Sequence, residues 1–316
     1  MTDEAPTPQG GPVLDTSDVT SPEQVRAALA ADGYLADDGL AIAIYLALRL
    51  GRPLLLEGEA GVGKTEVARA LARVSGARLI RLQCYEGIDV AQALYEWDHA
   101  RQLLHLRSAE ATGELVGAAS DEVEAELYRE RFLIRRPLLD ALSATDLPRP
   151  VLLIDEIDRA DDEFEAVLLE VLADGAVTVP ELGTFVAAVP PVVVLTSNRT
   201  RDVHDAVKRR CLYHWIEHPD LELEVSIVAS RAPHVPVQVA RDVATVVDRF
   251  RQLGLYKVPG VAETIDWATA VDLLGSGLDL DTARATLGTV LKYREDRQRV
   301  ERAGLPELLA DGSDPP

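Results

Sequence analysis

Residues Gly58-Glu59-Ala60-Gly61-Val62-Gly63-Lys64-Thr65 match the spacing G-x-x-x-x-G-K-[ST] of a phosphate-binding loop. The chemistry asks for these residue types. Glycines let successive backbone N–H groups turn inward around a polyphosphate. The N-terminus of a following helix, which begins at about Glu66, adds partial positive charge. Lys64 can reach the β- and γ-phosphates, and Thr65 offers a hydroxyl to Mg2+. Taken alone, the same stretch also suits an ordinary glycine-rich turn between a strand and a helix. A second constellation, Val151-Leu152-Leu153-Ile154-Asp155-Glu156, sets two carboxylates at the end of an aliphatic run. That is where ligands sit in open α/β sheets. Asp155 suits the Mg2+ shell, and Glu156 could orient and polarise an attacking water. Together the two motifs imply a site for ATP with Mg2+, with Gly58 through Glu66 around the nucleotide.

Two more positions fit that chemistry. Asn198 ends the run Val194-Leu195-Thr196-Ser197-Asn198, and its amide could hold the lytic water from the side opposite Glu156. It could equally be a turn residue. Lys208-Arg209-Arg210 is a dense basic spot. Arg210, or failing it Arg209, could reach a neighbouring subunit's γ-phosphate as an arginine finger. The alternative is basic side chains completing a helix C-terminus.

Alternating strands and helices must position these groups. Arg52–Leu56, Arg78–Gln83, Val151–Ile154, Pro191–Thr196 and Leu212–Ile216 read as strands. Glu66–Val74 and the stretch around Phe164, Val167, Leu168, Val171 and Leu172 have helical spacing. The alternation predicts an α/β fold, a parallel sheet with helices on both faces. Ser21-Pro22-Glu23-Gln24 reads as a capping box opening a helix, and Leu40–Arg49 as a second helix. Val177–Val179 and Thr184–Val186 flank Pro180–Gly183 as an inserted hairpin. Past Pro219 strand signals fade and four helical stretches follow. The expected organisation is a disordered tail over 1–20, an α/β nucleotide-binding domain over 21–219 with inserts near 92–107 and 175–188, a helical domain over 220–303, and a tail over 304–316.

Charge narrows the partners. The 316 residues carry 32 Lys+Arg against 53 Asp+Glu, a net charge of −21. Polyanionic nucleic acid and anionic membrane surfaces call for basic patches, so neither is expected as a partner. Cys84 and Cys211 form no CxxC pair and read as small core residues in a reducing compartment. No signal peptide or membrane-spanning run is visible, so a cytoplasmic location is expected.

The motifs together resemble an AAA+ ATPase. The resemblance implies a sheet of order 5-1-4-3-2, Asn198 as sensor 1, Arg209 or Arg210 as the finger, and a C-terminal all-helical lid. The hairpin at Gly175–Ala188 and the segment Leu94 through Arg107 stand where the MoxR family carries its two insertions. Arg81-Leu82-Gln83-Cys84-Tyr85-Glu86-Gly87, Asp155 through Ala160, Thr196 through Arg201 and Ala262 through Trp267 look like the CoxD-like branch of that family. The branch is associated with maturing the metal centre of carbon monoxide dehydrogenase. The resemblance implies ATP hydrolysis in a self-associated ring, a hexamer, that remodels a protein client beside a partner bearing a von Willebrand factor A domain. One departure stands out. Many AAA+ lids present a sensor-2 arginine, but Gly260-Val261-Ala262-Glu263-Thr264-Ile265 has none, and Arg284 is a candidate substitute.

Other readings share the phosphate loop. A small-molecule kinase needs an acceptor pocket and has no use for Asn198, an arginine in trans or the lid. A nucleic-acid-loading AAA+ protein conflicts with the charge. A GTPase lacks an N-K-x-D motif, and a non-catalytic switch has no need of Glu156. On the client side, Tyr95, Trp97 and Leu103-Leu104 are large apolar groups in a surface insertion. They either contact a partner or pack against the insertion itself.

Overall fold

The computed structural model describes residues 14–112, 120–275 and 277–310. Five parallel strands form the central sheet: β1 (Leu54–Gly58), β2 (Leu79–Gln83), β3 (Val151–Asp155), β4 (Val192–Ser197) and β5 (Leu212–Ile216). Their spatial order is β5-β1-β4-β3-β2, the order implied by the resemblance. β1 and β3 are buried along their whole length, as uninterrupted aliphatic strands covered on both faces must be. Leu55, Leu152, Ile154 and Leu195 fill one face, with Phe164 and Leu168 of the helix Asp162–Asp174 and Leu138 and Leu139 of Pro137–Leu142. Leu54, Leu56, Leu153 and Val194 fill the other, against Val67 and Leu71 of the helix Lys64–Val74 and Ile44 of Asp38–Leu50.

The helix Pro22–Ala31 starts on a divided cap. Ser21 Oγ accepts from the Gln24 backbone N–H, but Gln24 Oε1 accepts from the N–H and hydroxyl of Thr20, one residue earlier than a capping box requires. The expected N-terminal tail needs correction over 14–20. Leu14 and Val19 are buried in the α/β core, and the Leu14 N–H donates to the Val74 carbonyl. Two apolar side chains anchor a stretch whose Asp, Thr and Ser content reads as disordered. Residues 1–13 lie outside the described residues. The C-terminal expectation shifts similarly: Leu305–Leu309 is helical, Leu305 is buried, and Arg249 donates to the carbonyls of Leu308 and Ala310. Residues 311–316 lie outside the described residues.

Two antiparallel strand pairs stand outside the central sheet. Ala176–Val179 pairs with Gly183–Val186, and Tyr95–Trp97 pairs with Leu133–Arg135. Between the members of the second pair run the helices His99–Thr112 and Ser120–Leu127, so this excursion continues well past Arg107. Tyr95 and Trp97 pack inward. Trp97 meets Tyr128 edge-on at 5.1 Å, and both Tyr95 and Trp97 lie against the sheet's core. Leu103 and Leu104 stay 52% and 69% exposed.

The helical domain comprises Leu221–Arg231, Val237–Arg251, Val261–Leu274, Leu280–Val290 and Arg294–Ala303 around its own core. Trp267 stacks on Phe250 at 5.7 Å and donates to Thr286 Oγ1. Cys84 and Cys211 are free and buried, and burial pushes both thiols up to about 12. No described helix is long and apolar enough to cross a membrane.

Candidate nucleotide site

β1 ends in the phosphate loop, and the loop runs straight into the N-terminus of Lys64–Val74. Gly61 and Gly63 adopt φ of 86° and 94°, a left-handed conformation that residues with a Cβ rarely adopt. Val62 is buried and holds the loop to the core. Lys64 is buried too, and its ammonium donates to the carbonyls of Gly58 and Glu59. Burial lowers its pKa to about 8, although Asp158, Asp155, Glu156 and Glu59 all favour the charged form.

The sheet brings the second motif to the loop. Thr65 Oγ1 donates to Asp155 Oδ1 at 2.9 Å, linking the two motifs directly. Thr196 Oγ1, from β4, donates to the same oxygen at 2.6 Å and accepts from the Glu156 backbone N–H. Glu156 itself takes a left-handed φ of 56°, uncommon for a residue with a side chain. Its carboxylate has three partners: Asn198 Nδ2 at 3.3 Å, Gln83 Nε2 at 3.1 Å and Arg159 Nε at 2.9 Å. The Asn198 amide thus donates to Glu156 itself rather than facing it across a gap. Asp158 is buried behind this group. It accepts from the backbone N–H groups of Asn198 and Thr200 and from the Thr200 hydroxyl, which sets the loop carrying Asn198.

β2 contributes groups to which the sequence alone assigned no role. Arg81 donates from Nε and Nη2 to Asp155 Oδ2, at 3.1 and 2.6 Å, and Nη2 also donates to Gln83 Oε1. The signal was present: Arg81 and Gln83 are polar at period two near the C-terminal end of an otherwise apolar strand.

A cavity of about 860 Å3 opens beside the loop. Gly61, Val62, Gly63 and Glu66 line it together with Tyr34, Leu35 and Ile216 and with Leu223, Val261 and Ile265 of the helical domain. Such an apolar slot with a phosphate cradle at its end suits a nucleobase and sugar. His218 lies at its rim, with Nε2 3.1 Å from Glu59 Oε2. The helical domain closes on the loop in two ways. Val261 N–H donates to the Gly61 carbonyl at 3.0 Å, and the backbones touch so closely that a Cβ on Gly260 would sit 2.5 Å from Gly61 Cα. The Glu66 carboxylate bonds Arg231 of the helical domain as well as Arg73 of its own helix. Thr264, in the segment without a sensor-2 arginine, is buried. Its hydroxyl donates to Glu224, which is also held bidentately by Arg251.

Arg209 and Arg210 stand apart from this cluster, on the exposed end of the helix Asp205–Arg210. Arg209 pairs with Asp205, and Arg210 donates to the Ala206 carbonyl. The helix C-terminus is completed by Arg52, which donates to the carbonyls of Arg209, Arg210 and Cys211. Lys208 lies 3.9 Å from the buried carboxylate of Glu57. Arg284 is exposed on the helix Leu280–Val290.

The oxygens of Thr65 and Asp155 form a hard donor pair. Among the described residues no group of three or more His, Cys, Asp or Glu could hold a metal ion. The oxygen pair of Thr65 and Asp155 fits Mg2+, which takes few protein ligands and completes its shell with phosphate oxygens and water.

Several known proteins are similar to this chain. The chain is 29% identical over 140 residues to a Lon protease of Halothermothrix orenii, covering 40% of this chain and 14% of that one. It is 43% identical over 51 residues to midasin of Giardia intestinalis, covering 16% of this chain and 1% of that one. The chain thus spans only a small part of the curated relatives it matches. A solved structure of a Thermotoga maritima RuvB mutant superposes with a TM-score of 0.46 at 15% identity, covering 86% of this chain and 71% of that one. Residues 53–211, which are 159 of the 316, match the family described as AAA domain (dynein-related subfamily), and the chain belongs to that family.

Proposed function

We propose that the chain binds ATP with Mg2+ between its α/β and helical domains and hydrolyses it to ADP and phosphate, as a subunit of a ring that remodels a client protein. The observation that carries this reading is the convergence of Lys64, Thr65, Asp155, Glu156 and Asn198 at the C-terminal ends of β1, β3 and β4, beside a nucleotide-sized cavity.

Each residue has a task that its surroundings fit. Backbone N–H groups of Gly61 through Thr65 and the Lys64 ammonium would take the phosphates. Lys64 is held by two loop carbonyls, which phosphate oxygens would replace as acceptors. Thr65 Oγ1 and Asp155 would hold Mg2+, which when bound neutralises charge developing on the phosphates. Glu156 would orient the attacking water and accept its proton in the transition state. Its carboxylate is held by neutral amides of Gln83 and Asn198 and by Arg159, so it is positioned before a substrate arrives. Arg210, or Arg209, would complete a neighbour's site. Both are exposed, and their side chains bond to Asp205 and Ala206 of their own helix.

The finer identity extends the same reading. Two inserted strand pairs and the motif runs support a MoxR-type remodelling ATPase, of the CoxD-like branch that matures a metalloenzyme such as carbon monoxide dehydrogenase. A von Willebrand factor A protein is the proposed partner, in the cytoplasm. Leu103 and Leu104 are the exposed apolar groups that a partner would cover.

Mixing variants tests the assembly. Arg210→Ala and Lys64→Ala subunits should each be nearly inactive alone. Mixed rings should regain part of the ATPase rate, because some interfaces then pair an intact loop with an intact arginine. Trans fingers are worth about 10³–10⁵ in rate in comparable systems. No recovery, with mixed rings confirmed by light scattering, would remove Arg210 from a role in trans; Arg209→Ala is then the next variant to mix.

A further inference from the structure

Asp155 is a buried carboxylate whose two oxygens divide their partners. Oδ1 takes the hydroxyls of Thr65 and Thr196, whereas Oδ2, among the described residues, takes the guanidinium of Arg81 alone. A buried carboxylate is costly without hydrogen-bonded, oppositely charged partners, and Arg81 is the guanidinium in direct contact with this one. Arg81 differs from its partner in one respect: its side chain is 43% exposed and that of Asp155 only 4%. β2 forms the edge of the sheet, so a long side chain there can leave the carboxylate for water without a backbone change.

We propose that Arg81 is a displaceable counter-cation that holds Asp155 between turnovers and competes with the divalent ion for it. This rests on the nucleotide reading of the site. Mg2+ is commonly bound through one or two protein oxygens plus substrate phosphates, so on that reading the ion would arrive with the nucleotide and Asp155 would be metal-free for part of each cycle. During that part the guanidinium would be the cation in direct contact with the carboxylate. When the ion binds, two like charges would crowd one carboxylate, and the coupling between them is therefore unfavourable. That coupling is reciprocal: the ion loosens Arg81 by the same factor by which Arg81 weakens the ion. Arg81 also donates to Gln83, which in turn holds Glu156, so its departure reaches the second carboxylate as well. Arg81 is in this sense a positioning residue, since it acts through Asp155.

The test measures metal affinity rather than turnover. Mn2+, followed by electron paramagnetic resonance, is titrated into the ADP complexes of the full-length wild type, Arg81→Gln and Arg81→Lys. Arg81→Gln should bind Mn2+ about tenfold more tightly, within the usual range of coupling between sites. Arg81→Lys, which keeps a cation, should stay within about threefold of wild type. A merely structural role predicts the opposite, a looser site and weaker binding, and Mn2+ affinity equal to or below wild type in Arg81→Gln would overturn the proposal. A measurement without any variant runs in parallel. The Arg81 Nε–H resonance of the wild-type ADP complex should lose its hydrogen-bonded position when Mg2+ is added, and an unmoved resonance would also overturn it. ADP affinity without divalent ions is measured on the same proteins. Failure of the wild type to bind ADP would reject the nucleotide reading, whereas intact ADP binding with unchanged Mn2+ affinity would reject only the role of Arg81.

Discussion

Raising the pH titrates the phosphate cradle through a single buried group. Lys64 has its pKa lowered to about 8 by burial, from an ordinary value of 10.5. Phosphate oxygens need the ammonium form. At pH 7 about nine-tenths of Lys64 carries its proton, and at pH 9 about one-tenth does. Nucleotide affinity should therefore fall about tenfold between pH 7 and pH 9, or ~1.4 kcal/mol. The phosphates themselves are ionised throughout that range, having a last pKa near 6, and do not mask the effect. Stability moves the other way. The unfolded chain binds this proton up to about pH 10.5 and the folded chain only to about 8, so Lys64 opposes folding fully below pH 8 and progressively less as the pH rises toward 10.5. A loss of binding at pH 9 thus does not come from unfolding caused by this residue. The assay is a titration of a fluorescent ADP analogue at constant ionic strength, with Lys64→Met as the control. Wild type should show the tenfold fall, and the variant should bind weakly with a flat profile. Equal slopes in the two proteins would refute the assignment of the titration to Lys64.

Two further substitutions probe the lid and the insertion. Gly260→Ala places a Cβ 2.5 Å from Gly61 Cα, a backbone that cannot yield as a side-chain tip would; nucleotide affinity should fall at least about tenfold, and limited proteolysis should cut the joint between the two domains faster. Unchanged affinity would mean that the lid docks by another contact. Leu104→Ser, on a 69% exposed side chain, should leave basal ATP hydrolysis unchanged and reduce capture of a von Willebrand factor A partner by at least about tenfold; undiminished capture would move the partner surface elsewhere.

How much of this was legible beforehand depended on the distance over which each signal acts. The strands and the phosphate loop rest on local patterns, aliphatic runs ending in Gly58 or Asp155, whereas the strand order was available only through the resemblance to AAA+ ATPases. The position of Asp155 and Glu156 at the end of β3 was legible for the same reason. The hold on them was not. Arg81 and Gln83 meet these carboxylates because β2 pairs with β3 in a register that sets Gln83 opposite Asp155, and register is a tertiary property. The contact of Gly260 on Gly61 is likewise invisible until the two domains are docked. Trp97 was ambiguous in sequence because its partner Tyr128 lies across an excursion whose return strand, Leu133–Arg135, is short and unremarkable in composition. Leu14 and Val19 were lost in polar surroundings, where average composition outweighs two well-placed side chains.

Glu156→Gln tests the central claim most directly. Side-by-side measurement of ATP affinity and single-turnover hydrolysis separates binding from chemistry. Glutamine keeps the shape of the side chain, and its carbonyl oxygen can still accept from Asn198 or Gln83, but it cannot take a proton from water. The variant should bind ATP within about threefold of wild type and hydrolyse it at least about 10²-fold more slowly, the range of general-base catalysis. Turnover near the wild-type rate, with ATP bound, would contradict the account.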